Sequence, residues 1–306
     1  MKITFESTPA RYNFPFRIIG FAGRYDTLSD CEFLDEHHIV CVDRQMAMLY
    51  LVRFDMSGNT HELLDSVLCI CDGAPQNLEL VSIAKTGTDH HTVYSVSYSN
   101  TLFSCEIRDN KFQNLRIRVI NPPDAYHGVL SLTPQDVLVT NMRRSAITHI
   151  NLSTNKKTDI PCAGGCRLKD VAALDDTHLL VVSSEDGPVT RTRSTSRGPL
   201  YDSHLLIYER GTNRLVRRHT LPHAQVDCCI YRAPFCFVSY SGMRGEGFIL
   251  RSRITPEYQF SEVTMIPCAG FPHGLSIHGG LFAYTSYADS ALYIHAIAED
   301  GELRES

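Results

Sequence analysis

Six short apolar segments, HIVCVD, TVYSVSY, DVLVTN, HLLVVSS, FCFVSY and LFAYTSY, recur along the chain. Points near their ends, Asp43, Ser97, Asn141, Ser184, Ser239 and Ser286, fall 43 to 55 residues apart. Each segment is rich in Val, Tyr, Phe and Thr and is bounded by turn residues, which is the signature of a strand; no stretch sustains a helical period. A period of this size holding about four strands predicts the blade of a propeller rather than a sandwich. The expectation is therefore an all-β chain, one six-bladed β-propeller domain spanning residues 1–306.

The segments flanking each marker complete the blade. MAMLYLVRF, NTLFSCEI, SAITHINL, SHLLIYE, GFILRSRI and SALYIHAI read as third strands, and HELLDSVLCI, NLRIRVI, KKTDIPC, RLVRRHTLP and SEVTMIP as more polar fourth strands. Only EDGELRES follows the last third strand. The N-terminal segment, KITFES or NFPFRIIGF, is expected to close the ring and remove an exposed sheet edge. Counting back from the markers places the innermost strands near 31–35, 79–84, 127–132, 169–174, 226–231 and 273–278.

Composition narrows the class of partner. Hydrophobic residues make up 43% of the 306 and charged residues 21%, enough apolar material for a large core. The formal net charge is -5 and basic residues cluster only around Arg191 to Arg197, so nucleic acid is not an expected partner. No segment supplies the eighteen consecutive apolar residues of a membrane span, and the N-terminus lacks the apolar core of a secretory leader; a cytoplasmic location is expected. The eleven cysteines are an odd number and most sit inside apolar runs such as VLCIC and VDCCIY, which predicts buried thiols rather than a disulfide framework.

One stretch is written twice in part: IPCAGFPHGLSI at residues 266–277 and IPCAGGCRLKDVAAL at 160–174. YHGVLSL at 126–132 repeats its His-Gly step. Pro ends the outer strand and Gly permits the turn that carries the chain inward, so the repeat is first a structural device. Polar or ionisable residues then stand at the start of every inner strand: Asp30, Glu79, His127, Lys169, Asp227 and His273. In a propeller these starts form a ring at one mouth of the central channel. His37, His38, His90 and His91 fall instead at hairpins between first and second strands, where exposed turn residues are expected on the opposite face.

PHGL followed by AYTSYADSALY, and YHGV followed by LVTNMRRSAITHI, resemble the six-bladed propellers of the gluconolactonase and senescence-marker family and its NHL-repeat, paraoxonase and strictosidine-synthase relatives. The resemblance implies a Glu, Asn and Asp set binding a divalent cation above the channel, and lactone or ester hydrolysis. His127 and His273 stand where that pattern has Asn, and Asn141 and Ser286 where it has Asp. Imidazole in place of oxygen donors argues against a calcium site.

Two uses of the ring follow from the residue types. His273 and His127 act either as general acid and base, with Glu79 and Asp30 assisting, or as ligands of a softer divalent metal. Lys169, Asp227, Asn141, Tyr240 and Tyr287 are expected to line the bound substrate. An insertion at 186–202, DGPVTRTRSTSRGPLYD, is a candidate lid that brings Arg193 toward an anionic group. The expected function is an enzyme acting on a small molecule, of hydrolase or lactonase type or a lyase, isomerase or cyclase of secondary metabolism. A non-catalytic propeller that binds a protein partner is the alternative.

Overall fold

The computed structural model describes residues 2–4, 28–71, 73–75, 78–85, 90–120, 125–163, 167–184, 202–212, 214–222, 225–241, 247–268, 271–286 and 290–304. Six antiparallel four-stranded blades follow one another in chain order, which is the predicted six-bladed β-propeller. Their innermost strands are Leu28–Phe33, Leu78–Lys85, Tyr126–Thr133, Arg167–Ala173, Gln225–Arg232 and Pro272–His278. Five lie within two residues of the expected starts. The first begins three residues early and ends at a hairpin in which Asp35 Oδ1 accepts the amides of His37 and His38 at 2.7 and 2.8 Å.

The last blade is closed from both ends of the chain. Lys2–Thr4 pairs antiparallel with Ala291–Ile297, Lys2 opposite Tyr293, as the expected N-terminal closure requires. Leu303–Arg304 pairs with the other end of the same strand, with Arg304 opposite Ala296. Two short segments thus share the edge that one fourth strand covers in the other blades.

Apolar contacts lie between blades rather than within them, because each blade is a sheet whose two faces both meet a neighbour. Val40, Val42 and Leu51 of the first blade pack against Val81, Val93 and Phe103 of the second. Leu180, Val182 and Leu205 of the fourth meet Val226, Cys229 and Val238 of the fifth. Across the closing seam, Leu28, Cys31 and Phe33 meet Ala283, Leu292 and Ile294. The thiols of Cys31, Cys41, Cys105, Cys228, Cys229 and Cys236 are buried and unbridged, and burial pushes the Cys105 thiol up to about 12. They serve as small apolar side chains. Fourth strands such as Lys111–Val119 are mostly exposed on both faces, which is why they read as polar.

All six inner strands carry a β-bulge at the same place, near their start. The register slips between Leu28 and Asp30, Leu78 and Val81, Tyr126 and Val129, Leu168 and Asp170, Val226 and Cys229, and Pro272 and Leu275. A bulge adds one residue and re-aims a side chain that would otherwise point into the sheet interface. The residues inside these bulges include Ser29, Glu79, His127, Lys169, Asp227 and His273, so the bulges build the ring.

Candidate functional site

His127 and His273 approach each other across the channel with ring centroids 5.4 Å apart. His127 Nε2 lies 3.8 Å from Glu79 Oε2 and 3.9 Å from Asp227 Oδ1, and His273 Nε2 lies 4.0 Å from the same Asp227 oxygen. All four side chains are buried. Two cations reach them from the rim: Lys169 Nζ at 3.1 Å from Asp227 Oδ1, and the Arg44 guanidinium at 3.0 Å from Glu79 Oε1.

Both imidazoles are held by the same construction. His273 Nδ1 donates to Ser29 O at 2.6 Å, and that carbonyl also accepts Thr285 Oγ1, which itself receives the Gly274 amide. His127 Nδ1 donates to Lys169 O at 3.0 Å, which also accepts Thr140 Oγ1, and Thr140 receives the Gly128 amide. A carbonyl can only accept, so each Nδ1 carries the proton and each Nε2 offers its lone pair to the channel. In the following blade a buried aspartate completes the pattern: Asp30 Oδ2 accepts the Val81 amide at 2.7 Å, and Asp170 Oδ2 the Cys229 amide at 2.9 Å. The sixth, first and second blades therefore repeat the third, fourth and fifth. His273, Ser29 with Asp30, and Glu79 correspond to His127, Lys169 with Asp170, and Asp227.

This twofold correspondence locates each expected residue. Glu79, His127, Lys169, Asp227 and His273 come together. Asp30 lies behind the ring, where its carboxylate ties the first blade to the second, and Ser29 occupies the ring position of its blade. Asn141 is buried at the end of its strand, where Oδ1 accepts the amides of Arg143 and Arg144 at 3.1 Å and shapes the turn. Tyr240 is half-buried, edge-on to Phe248 with centroids 6.2 Å apart. Tyr287, Arg193 and nearly all of the 186–202 insertion lie outside the described residues. On the opposite face His37 is exposed as expected, whereas His91 begins a second strand and is buried.

Arg44 and Gln225 were not singled out in the sequence. Arg44 follows the marker Asp43 as Tyr240 follows Ser239 and Tyr287 follows Ser286, and that shared position is the sequence signal that points to it. Gln225 Nε2 donates to Asp227 Oδ2 at 3.2 Å.

Electrostatics separate the two carboxylates. Burial by itself would raise Asp227, but Lys169 and the two imidazoles outweigh it and hold this carboxyl well below the usual carboxylate range. Burial pushes Glu79 up to about 7 against the opposing pull of Arg44 and Lys169. Burial also pushes His273 down to about 4, against Asp227 and the Ser29 carbonyl, and lowers His127 well below its ordinary value, reinforced by Lys169 and His273. At neutral pH the ring presents two uncharged imidazoles beside an ionised Asp227.

Asp170 gives a stability prediction. Burial raises its carboxyl to about 6 despite the Cys229 amide. A carboxyl raised above its unfolded value of about 3.9 favours the fold most below that pH and loses the contribution as pH rises through the folded value. Asp170 should cost roughly 2–3 kcal/mol at pH 7 relative to pH 3.5. Asp170→Asn keeps an acceptor for Cys229 and should remove that share of the fall in stability between pH 4 and 6, leaving the share of Glu79, as read by urea unfolding. Unchanged pH dependence would contradict the assignment.

A divalent cation held by oxygen ligands, as the family resemblance implies, does not fit this ring. Two of its inward donors are imidazole nitrogens, Asp227 is bound by Lys169, and the buried aspartates Asp30 and Asp170 each hold a backbone amide.

The sequence matches no protein-family model and no curated protein. Solved structures match its fold. A catalytically inactive histidine-to-alanine variant of virginiamycin B lyase from Staphylococcus aureus, with quinupristin, is 11% identical, with 91% of this chain and 97% of that one covered and a TM-score of 0.57. The PQQ-bound aldose sugar dehydrogenase from Streptomyces coelicolor is 12% identical over 92% of this chain and 95% of that one, with a TM-score of 0.59. The WD40 repeats of RRP9 are 11% identical over 92% and 96%, with a TM-score of 0.58. Enzymes and WD40 proteins stand side by side among these neighbours, and at such identities the likeness establishes the β-propeller fold.

Proposed function

We propose that the protein is an enzyme that abstracts a proton next to a carbonyl in a small organic molecule bound at the channel mouth, a lyase-type reaction. The observation that carries this reading is the convergence of two anchored imidazole Nε2 atoms on one carboxylate oxygen, Asp227 Oδ1, at 3.9 and 4.0 Å. A base with a fixed tautomer, no charge and a nearby anion to stabilise its protonated form is suited to this step. Position selects His127 as the base, because its Nε2 is within 4 Å of both Glu79 and Asp227.

In the proposed step His127 Nε2 takes the proton, and the C–H electron pair forms a double bond. The β-substituent leaves with the electrons of its own bond, and the imidazolium returns the proton to it. Lys169, on the rim beside Asp227, offers positive charge to the developing enolate oxygen, and His273 orients the leaving group. A lyase among the fold neighbours that is inactive as a histidine-to-alanine variant supports this class over simple ester hydrolysis.

The test is a panel of cyclic depsipeptides, lactones and β-substituted carbonyl compounds, followed by mass spectrometry. Ring opening by elimination leaves the mass unchanged, whereas hydrolysis adds one water. Elimination by the wild type that is absent in His127→Ala supports the reading. Turnover equal in the two, or a mass gain of one water, overturns it; no turnover across the panel favours the partner-binding propeller.

A further inference from the structure

We propose that Glu79, His127 and His273 together hold one divalent first-row transition-metal ion, of the zinc or cobalt kind, at the centre of the ring. The inference rests on the same ring as the proposed reaction but not on that reaction, and the two states exclude each other: an ion on His127 Nε2 takes the lone pair that would accept the proton, so elimination belongs to the metal-free ring.

One donor atom from each of the three buried side chains lies within 4.8 Å of the other two. Bonds of about 2.0–2.2 Å place neighbouring ligand atoms roughly 3.0–3.5 Å apart, so each side chain need move by less than about 1 Å. The three donors come from three separate inner strands, and each is aimed inward by its bulge.

The surroundings are those of a ligand set. Each imidazole gives its Nδ1 proton to a backbone carbonyl of the next blade, which fixes the tautomer that leaves Nε2 for a metal. Glu79 Oε2 makes no hydrogen bond among the described residues, although the side chain is fully buried. Arg44 pairs with Oε1 and leaves Oε2 directed at His127. Two imidazoles and one carboxylate suit borderline ions rather than calcium or magnesium.

Charge sets the fourth position. Lys169 already neutralises Asp227, and Arg44 faces Glu79, so a divalent ion adds net positive charge to a buried ring. The remaining coordination site therefore takes an anion: hydroxide, or an oxyanion of the substrate.

The experiment uses the full chain, stripped with a chelator and dialysed against Zn²⁺ or Co²⁺. The expected result is one ion per chain by elemental analysis, with Glu79→Gln and His127→Ala each weakening affinity by at least about tenfold. His38→Ala, which alters the half-buried Asp35–His38 pair on the other face, should leave affinity unchanged. X-ray absorption on the zinc-loaded wild type needs no variant to fold, and should show scattering from two imidazoles. Substoichiometric metal, affinity unchanged in the ring variants, or an absorption spectrum without imidazole overturns the proposal. Metal bound as expected but no turnover by the metal-free protein on the substrate panel sinks the proposed reaction alone; turnover by protein that takes up no metal sinks the metal site alone, and full turnover with the ring loaded would mean that His127 is not the base.

Discussion

Gly274→Ala should destabilise the protein by more than about 4 kcal/mol or prevent folding, the scale of a backbone collision in a packed core. A β-carbon at Gly274 would lie 2.0 Å from Asp30 Oδ1 and 2.3 Å from Asp30 Cα. The second contact is with backbone, so no rotamer change relieves it; the sixth blade would have to part from the first at the seam that closes the ring. Gly128→Ala meets the equivalent obstacle, with Asp170 Oδ1 at 2.6 Å, Asp170 Cα at 2.7 Å and Lys169 O at 2.8 Å, and should be nearly as damaging. Gly280, whose β-carbon would have no neighbour within 4 Å, is the control and should change stability by less than about 0.5 kcal/mol as alanine. Urea unfolding of the three variants decides the matter. A Gly274→Ala protein within about 1 kcal/mol of the wild type would mean that the inner strands do not approach as described.

His127→Ala should retain the fold and lose about 10²- to 10⁴-fold in turnover of any substrate found by the panel, as removal of a positioned base does. His273→Ala should lose activity on a similar scale, since both imidazoles face Asp227 Oδ1 at 3.9–4.0 Å. His37→Ala, exposed on the opposite face, should do nothing. Circular dichroism guards against unfolding, and kcat compared with KM distinguishes loss of chemistry from loss of binding. Full activity in both ring variants would remove the catalytic reading.

Much of this was legible because propeller blades write themselves into sequence. Second strands are buried on both faces and read as apolar runs, third strands mix buried and half-buried positions, and fourth strands are exposed and read as polar. The two His-Gly steps were visible for the same reason that Gly274→Ala is costly: the inner strands come too close for a β-carbon. The exact ring member of the first blade was not legible. Asp30 is the conspicuous ionisable residue there, yet the bulge shifts side-chain parity by one and gives the ring position to Ser29, because a count by twos fails wherever a strand holds an extra residue. Asp30 looks like a ring residue in sequence and, like Asp170, acts as a tie between blades. Arg44 reaches Glu79 across a blade boundary, a pairing that no spacing along the chain reveals.

The central assertion is that the two His-Gly steps present a pair of neutral imidazoles, each protonated on Nδ1, to a common centre. Long-range nitrogen–proton NMR of the ¹⁵N-histidine-labelled protein at pH 7 reports this directly, with His127→Ala and His273→Ala supplying the assignments. Two signals with a protonated Nδ1 and a bare Nε2 are expected. A charged imidazolium at either position, or the proton on Nε2, would contradict the geometry from which the ring's chemistry has been derived.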